Sequence, residues 1–234
     1  YRHLQKCLYK GLCPKLSTNG LCPKLSTNNK KLMIRFLQVS DIHFLYCSES
    51  EDEYSQLRMR FKEDLECLKK KVGAIPYLLI CGDVASKGQC TEFQAATNYI
   101  QQLCETLEED GHRPNVFVVP GNHDIDRTPY KHTREHFRSK LLCFENKQND
   151  YFMQELRKSE PDSLKILYSP LKAYTKFAYD YSSNDELAEA LNLEGNCSDL
   201  TNKNLFWKRP IGKIGNYTIN IVGLNSTLVC DGME

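Results

Sequence analysis

The stretch Asn115-Val-Phe-Val-Val-Pro-Gly-Asn-His-Asp124 decides the fold. Its first five residues include three valines and a phenylalanine, so this part predicts a buried strand. Pro120-Gly121 stops the strand, and three polar residues, Asn122, His123 and Asp124, follow at once. Open α/β sheets keep their chemistry in loops at the ends of such strands. The stretch therefore predicts an α/β enzyme fold with functional side chains after this strand.

Two earlier apolar strands end in the same way. Residues 32–39 lead into Asp41-Ile-His43, and residues 77–81 lead into Gly82-Asp83. On an extended chain, Asp41 and His43 are two positions apart and point to the same side. Carboxylate, imidazole and amide ligands together suit Mn²⁺, Fe or Zn²⁺. Each motif alone is commoner as a turn or cap, but the three in this order favour a metal site.

The segments between these strands have helical spacing of apolar residues. Strand, helix, strand, helix, strand predicts a parallel sheet with right-handed crossovers, whose strand ends meet at one edge. The first helix is predicted to bury Leu57, Phe61, Leu65, Leu68 and Val72. The second is predicted to bury Phe93, Ala96, Ile100, Leu103 and Leu107.

Residues 128–204 contain no strong strand pattern and predict a helical insertion. It starts directly after Asp124, so we expect it to cover the metal site and to shape substrate access. His132 and His136, spaced i and i+4, are candidates for a metal ligand pair, but an exposed polar helix face is the favoured interpretation. Residues 207–211 and 213–224 then predict a strand pair.

With these motifs, the sequence resembles the calcineurin-like metallophosphoesterase family. The matching residues are Asp41-Ile-His43, Gly82-Asp83-Val84 and Gly121-Asn122-His123-Asp124. The resemblance covers residues 31–127 well and 205–227 more loosely. It implies a layered α/β sandwich (αββα) with a helical insertion.

The resemblance also implies a role for each motif residue at a centre of two divalent metal ions (Mn, Fe or Zn). Asp41 and His43 would bind the first metal, Asp83 would bridge both, and Asn122 would bind the second. His123 would sit beside the phosphate as an acid or transition-state donor, and Asp124 would orient it. The implied reaction is hydrolysis of phosphate mono- or diesters by a hydroxide that the two metals activate.

Here the chain departs from the family pattern. The family completes its centre with a later histidine and a Gly-His-x-His motif, whereas the last histidine here is His136. We therefore expect a C-terminally truncated domain that is inactive or weakly active as residues 1–234. Two alternatives stay open: a nuclease with the same core, and a non-catalytic regulatory or binding module that keeps the fold.

Charge divides the chain into an arm and a body. Of 31 basic residues, seven lie in residues 1–31, which contain no acid, so the remainder has 24 basic against 30 acidic residues. Residues 1–30 include a nine-residue tandem repeat (11–19 and 20–28) and predict a flexible basic arm, with residues 31–234 forming the metallophosphoesterase domain. The body shows no basic stripe, so a phosphoester substrate is favoured over nucleic acid as the partner.

Cysteine usage and hydropathy bear on the compartment. The eleven cysteines form no Cys-x-x-Cys pair and no regular framework, which favours a reducing, cytoplasmic setting. No run of 18 apolar residues occurs, so we expect no membrane association. The opposing signal is a set of three Asn-x-Ser/Thr triplets, at Asn196, Asn216 and Asn225.

Overall fold

A computed structural model describes residues 34–44, 55–141, 161–181, 206–214 and 216–228, together with positions 154, 159 and 230. The predicted arm (residues 1–30) lies outside the described residues, as does much of the predicted insertion. Among the residues described, no helix combines the length and the apolar character needed to cross a bilayer.

A three-stranded parallel sheet forms the centre of the fold. Its strands are β1 (Phe36–Val39), β2 (Tyr77–Cys81) and β3 (Asn115–Val119), in the order β1-β2-β3. Helices α1 (Ser55–Val72) and α2 (Cys90–Leu107) connect them. This confirms the predicted α/β class with a parallel sheet. The strands are in register at their carboxyl ends, so their three following loops lie at one edge.

One face of the sheet packs into the core that the helices share. Leu78, Ile80 and Val118 point to this face and are fully buried. Every residue of the predicted apolar face of α2 is buried as well. The prediction for α1 was wrong at one end, because Leu57 is 43% exposed. Leu65 is the fully buried residue of α1, so the helix contacts the core mainly through its middle.

A β-hairpin contributes the other layer. Strands β4 (Phe206–Ile214) and β5 (Tyr217–Leu224) pair antiparallel, which confirms the predicted strand pair, with an irregularity between Pro210 and Gly212. Trp207 joins the hairpin to the sheet: its ring stacks on Phe117 at 5.5 Å, and its Nε1 donates a hydrogen bond to the carbonyl oxygen of Val118 (3.0 Å).

The described part of the predicted insertion is helical. It comprises α3 (Lys131–Leu141), α4 (Pro161–Tyr168), a 3₁₀ turn (Ser169–Leu171) and α5 (Lys172–Tyr179). Helix α5 packs on α2, where the ring of Phe177 stacks on that of Phe93 at 5.1 Å. Tyr174 and Phe177 are buried in the same cluster as the sheet. These helices are therefore part of the hydrophobic core. The cover over the site stays a prediction, because much of the insertion lies outside the described residues.

Candidate metal centre

The loops after β1 and β2 run side by side beyond the strands. The N–H groups of Asp41 and His43 donate to the carbonyl oxygens of Gly82 (3.2 Å) and Asp83 (3.0 Å). A parallel bridge between Phe44 and Ala85 continues this pairing. The two predicted ligand loops are therefore fixed to each other through their backbones.

This pairing gathers three predicted ligands. One ligand atom from each of Asp41, His43 and Asp83 lies within 4.8 Å of the others, and all three residues are half-buried. The Nε2 atom of His43 is 3.9 Å from Oδ1 of Asp41. Two carboxylates and an imidazole match the ligand preferences of Mn²⁺, Fe and Zn²⁺. The residues thus fit a divalent cation, while their roles as ligands stay a prediction.

The backbone at these residues is unusual. Three ligand candidates have a positive φ: Asp41 (58°), His43 (49°) and Asp83 (53°). They are three of the five described non-glycine residues whose φ is positive. Each such residue costs roughly 1–3 kcal/mol, and such strain concentrates at functional sites. The extended conformation predicted for Asp41 and His43 was therefore wrong. Their side chains meet because two left-handed residues turn the loop, not because a strand alternates.

Two glycines let the loops after β2 and β3 touch. A Cβ atom on Gly82 would lie 2.8 Å from Cα of Gly121, and a Cβ atom on Gly121 would overlap the backbone nitrogen and carboxylate of Asp83. Gly82 also has a φ of 88°. Because no side chain separates the loops, the N–H of His123 reaches Oδ1 of Asp83 (2.9 Å).

Replacing Gly121 with alanine should therefore displace Asp83. The backbone of Gly121, at φ −102° and ψ 178°, suits any residue, so the effect is purely steric. We expect the free energy of unfolding to fall by about 1–3 kcal/mol, the usual cost of overpacking. We also expect Mn²⁺ binding to weaken, because the carboxylate leaves its position. Urea denaturation and calorimetric titration measure the two effects.

Gly212→Ala is the matched control, because nothing lies within 4 Å of a Cβ atom built there. It should leave both quantities unchanged. Equal behaviour of the two variants would show that the close approach of Gly121 to Asp83 is unimportant.

Asp124 holds two of the loops together. It is fully buried; its Oδ1 accepts from the N–H of Ala85 (2.7 Å), and its Oδ2 accepts from the N–H of Gly121 (2.9 Å). Burial raises the pKa of Asp124 to about 7, against the effect of these two backbone donors. The orienting role of Asp124 toward His123 stays a prediction. Its two hydrogen bonds link the loop after β2 to the loop after β3.

The ring of His123 lies against the ligand cluster. It meets the ring of His43 edge to face at 4.9 Å, and its Nδ1 is 3.1 Å from the carbonyl oxygen of Ser86. A carbonyl oxygen only accepts, so Nδ1 carries a proton, and Nε2 is the nitrogen that can exchange a proton with a substrate. Glu92 fixes the Ser86 loop by accepting from the N–H groups of Lys87 and Gln89.

Two arginines that the sequence did not single out contact the site loops. Arg127 donates through Nη2 to the carbonyl oxygen of Asn122 (2.9 Å). Arg58 of α1 donates to the carbonyl oxygen of Ile42 (3.4 Å), and its guanidinium lies 4.2 Å from the centre of the Phe44 ring. Neither arginine belongs to a motif: Arg127 makes a local contact, five residues from Asn122, whereas the fold brings Arg58 to Ile42 across 16 residues. Asn122 as a metal ligand stays a prediction.

His132 and His136 are not part of the cluster. Both are exposed on α3, as the favoured interpretation predicted. Of the described histidines, cysteines and acids, the group that could hold a metal is the one formed by Asp41, His43 and Asp83.

A parallel α/β sheet that presents carboxylates and histidines together at its strand ends has the arrangement of a metal-binding α/β fold. The chain belongs to the calcineurin-like phosphoesterase family, whose model matches residues 34–213. This match spans all three strand-end motifs and reaches the hairpin. It confirms the family that the motifs resemble.

A curated relative agrees with this assignment. The chain is 33% identical over 98 residues to YydB, an uncharacterized metallophosphoesterase-like protein of Bacillus subtilis (strain 168). The match covers 41% of this chain and 18% of the relative, so the chain corresponds to a small part of that protein's length. No solved structure matches.

Proposed function

We propose that this protein hydrolyses phosphate mono- or diesters at a centre of two divalent metal ions. The observation that carries the proposal is the convergence of Asp41, His43 and Asp83, three polar side chains held on strained backbone beside His123. Proteins retain such strain where a site requires it.

Each motif residue has a place in this proposal. Asp41 and His43 would hold the first ion, Asp83 would bridge, and Asn122 would bind the second. Two ions lower the pKa of a shared water and neutralise phosphate charge during in-line attack. The bridging position requires an anionic group with two oxygens, which Asp83 supplies.

His123 is the proposed proton donor. The Ser86 carbonyl oxygen fixes the proton of Nδ1, so donation to a leaving oxygen must come from Nε2 of the imidazolium form. The histidine would therefore enter the reaction protonated and leave it neutral.

The first test is a calorimetric titration of residues 1–234 with Mn²⁺ and Zn²⁺. We expect at most one weakly bound ion, at Asp41, His43 and Asp83. This first metal position has two carboxylates, whereas the second metal position has one carboxylate, from Asp83, and the neutral amide of Asn122. Hydrolysis of an aryl phosphate should be slow, require added metal and stop with EDTA.

Two results would contradict this proposal. Complete absence of metal binding would leave the cluster without a cation. Hydrolysis that persists in EDTA would show that the metal centre does not carry the reaction. Two tight sites with fast turnover would instead keep the reaction and overturn the ligand assignment, with His132 and His136 the first residues to test.

A further inference from the structure

Helix α3 and the loop before it concentrate positive charge beside the candidate centre. Residues 127–141 contain five basic residues and one acid, in a body that is acidic as a whole. The basic residues are Arg127, Lys131, Arg134, Arg138 and Lys140. The sequence did not predict a basic stripe, because this charge is local to one short segment.

Arg134 is the unusual member of this group. It is 7% exposed, although arginine is rarely buried without a partner. Its Nη1 atom is buried and has no hydrogen-bond partner among the described residues. The acid next to it in the chain, Glu135, is exposed on the helix. Glu135 still acts favourably on the charge of Arg134, but a buried guanidinium nitrogen that lacks a hydrogen-bond partner is costly unless an anion binds it.

Two further arginines lie near enough to act on Arg134. Burial lowers the pKa of Arg134, and the positive charges of Arg127 and Arg138 lower it further. Arginine nevertheless stays charged at neutral pH. Arg127 and Arg138 are half-buried, so part of each residue is open to solvent. Three neighbouring guanidinium groups raise the local positive potential, which attracts anions.

Arg127 connects this cluster to the candidate centre. Its Nη2 donates to the carbonyl oxygen of Asn122, the residue proposed as a ligand of the second ion. An anion at the cluster would therefore lie near the reacting phosphate without occupying its place. Guanidinium groups bind phosphate through paired, charge-assisted hydrogen bonds.

We propose that Arg127, Arg134 and Arg138 bind a phosphate group of the substrate other than the one that is hydrolysed. The proposal rests on the function proposed above and gives its substrate class: a phosphoester that carries at least two phosphates. Two chemical sources fit this description, a nucleoside polyphosphate and the backbone of a single-stranded nucleic acid.

The test uses residues 1–234 in EDTA, with inorganic pyrophosphate as the probe and calorimetry as the measurement. Without metal ions, binding reports the arginines alone. We expect Arg134→Met to weaken pyrophosphate binding by about tenfold or more, because a charged hydrogen-bond donor is lost. The control is Arg60→Met, which removes an exposed arginine from α1 and should leave binding unchanged.

Two further measurements separate loss of the anion site from loss of folding: the Tm of Arg134→Met and pyrophosphate binding by Arg127→Gln. Arg134→Met should raise the Tm or leave it unchanged, because it removes a buried charge whose Nη1 atom has no hydrogen-bond partner in the described part of the chain. A large fall in Tm would show that Arg134 stabilises the folded domain itself and would overturn its part in the site. Arg127→Gln, outside the helix, should also weaken pyrophosphate binding by about tenfold. Wild-type binding in both variants overturns the proposal.

Asp83→Asn separates this proposal from the metal centre. It should abolish metal binding and keep pyrophosphate binding in EDTA, so failure of one proposal does not mimic failure of the other. A nucleoside diphosphate and a short oligothymidine then distinguish the two sources. The source is the ligand that binds more tightly and depends on Arg134, and an oligonucleotide should also show the steeper salt dependence. Binding of both ligands independent of Arg134 contradicts the site.

Discussion

Asp83→Asn should remove metal binding from the candidate centre. Asparagine keeps the oxygen that accepts from the N–H of His123, so the loop contact survives. It loses the negative charge and one of the two oxygens that a bridging ligand needs. We expect Mn²⁺ affinity to fall roughly 100-fold or more, which corresponds to about 2.7 kcal/mol. Calorimetry measures the affinity, and an aryl phosphate assay should show no metal-dependent turnover.

Asp162→Asn is the matched control. Asp162 is exposed in the first turn of α4 and pairs with Lys165 of the same helix. It should bind metal as the wild type does, and both variants should unfold at the same urea concentration. Metal-dependent turnover that survives in Asp83→Asn would refute the bridging role.

Phe177→Ala should destabilise the whole domain, because α5 belongs to its core. Phe177 is 3% exposed and packs on Phe93, Tyr174 and Tyr181. Truncating a buried phenylalanine costs about 3–5 kcal/mol through lost burial and the cavity that remains. Urea denaturation, followed through the single tryptophan on β4, measures the free energy of unfolding.

Tyr179→Ala, two residues further along the same helix, is the control. Tyr179 is 54% exposed, so its loss should change the free energy of unfolding by less than about 0.5 kcal/mol. If both variants unfold as the wild type does, α5 is a separable cover and its packing on α2 does not stabilise the domain.

The hydrophobic pattern predicted the main elements because packing agrees with it. The apolar face of α2, from Phe93 to Leu107, is buried at every predicted position. The valine-rich run before Pro120 became β3. Leu57 shows the limit of this approach: its spacing suits a buried face, but α1 contacts the core further along. The spacing of apolar residues shows which side of a helix faces the core. It does not show along how much of the helix the core covers that side.

The packing of α5 could not be predicted from its position along the chain. We expected residues 128–204 to cover the site because they follow Asp124 directly. In the structure α5 packs on α2, since Tyr174 and Phe177 provide aromatic surface that matches Phe93. That the rest of the insertion covers the site stays a prediction. Helical spacing shows that a helix has an apolar face, but it does not show which other helix covers that face. The covering residues are distant in the sequence, so no local pattern specifies them.

The sequence by itself determined the parallel α/β fold, the family and the residues that gather after the three strands. These properties follow from local patterns: apolar runs, helical spacing and short polar motifs at strand ends. Only the tertiary structure decided how the site is held. The left-handed backbone of Asp41, His43 and Asp83, the contact of Gly121 with Asp83 and the burial of Arg134 all depend on residues distant in the chain. Long-range packing sets such features, so no spacing in the sequence reveals them.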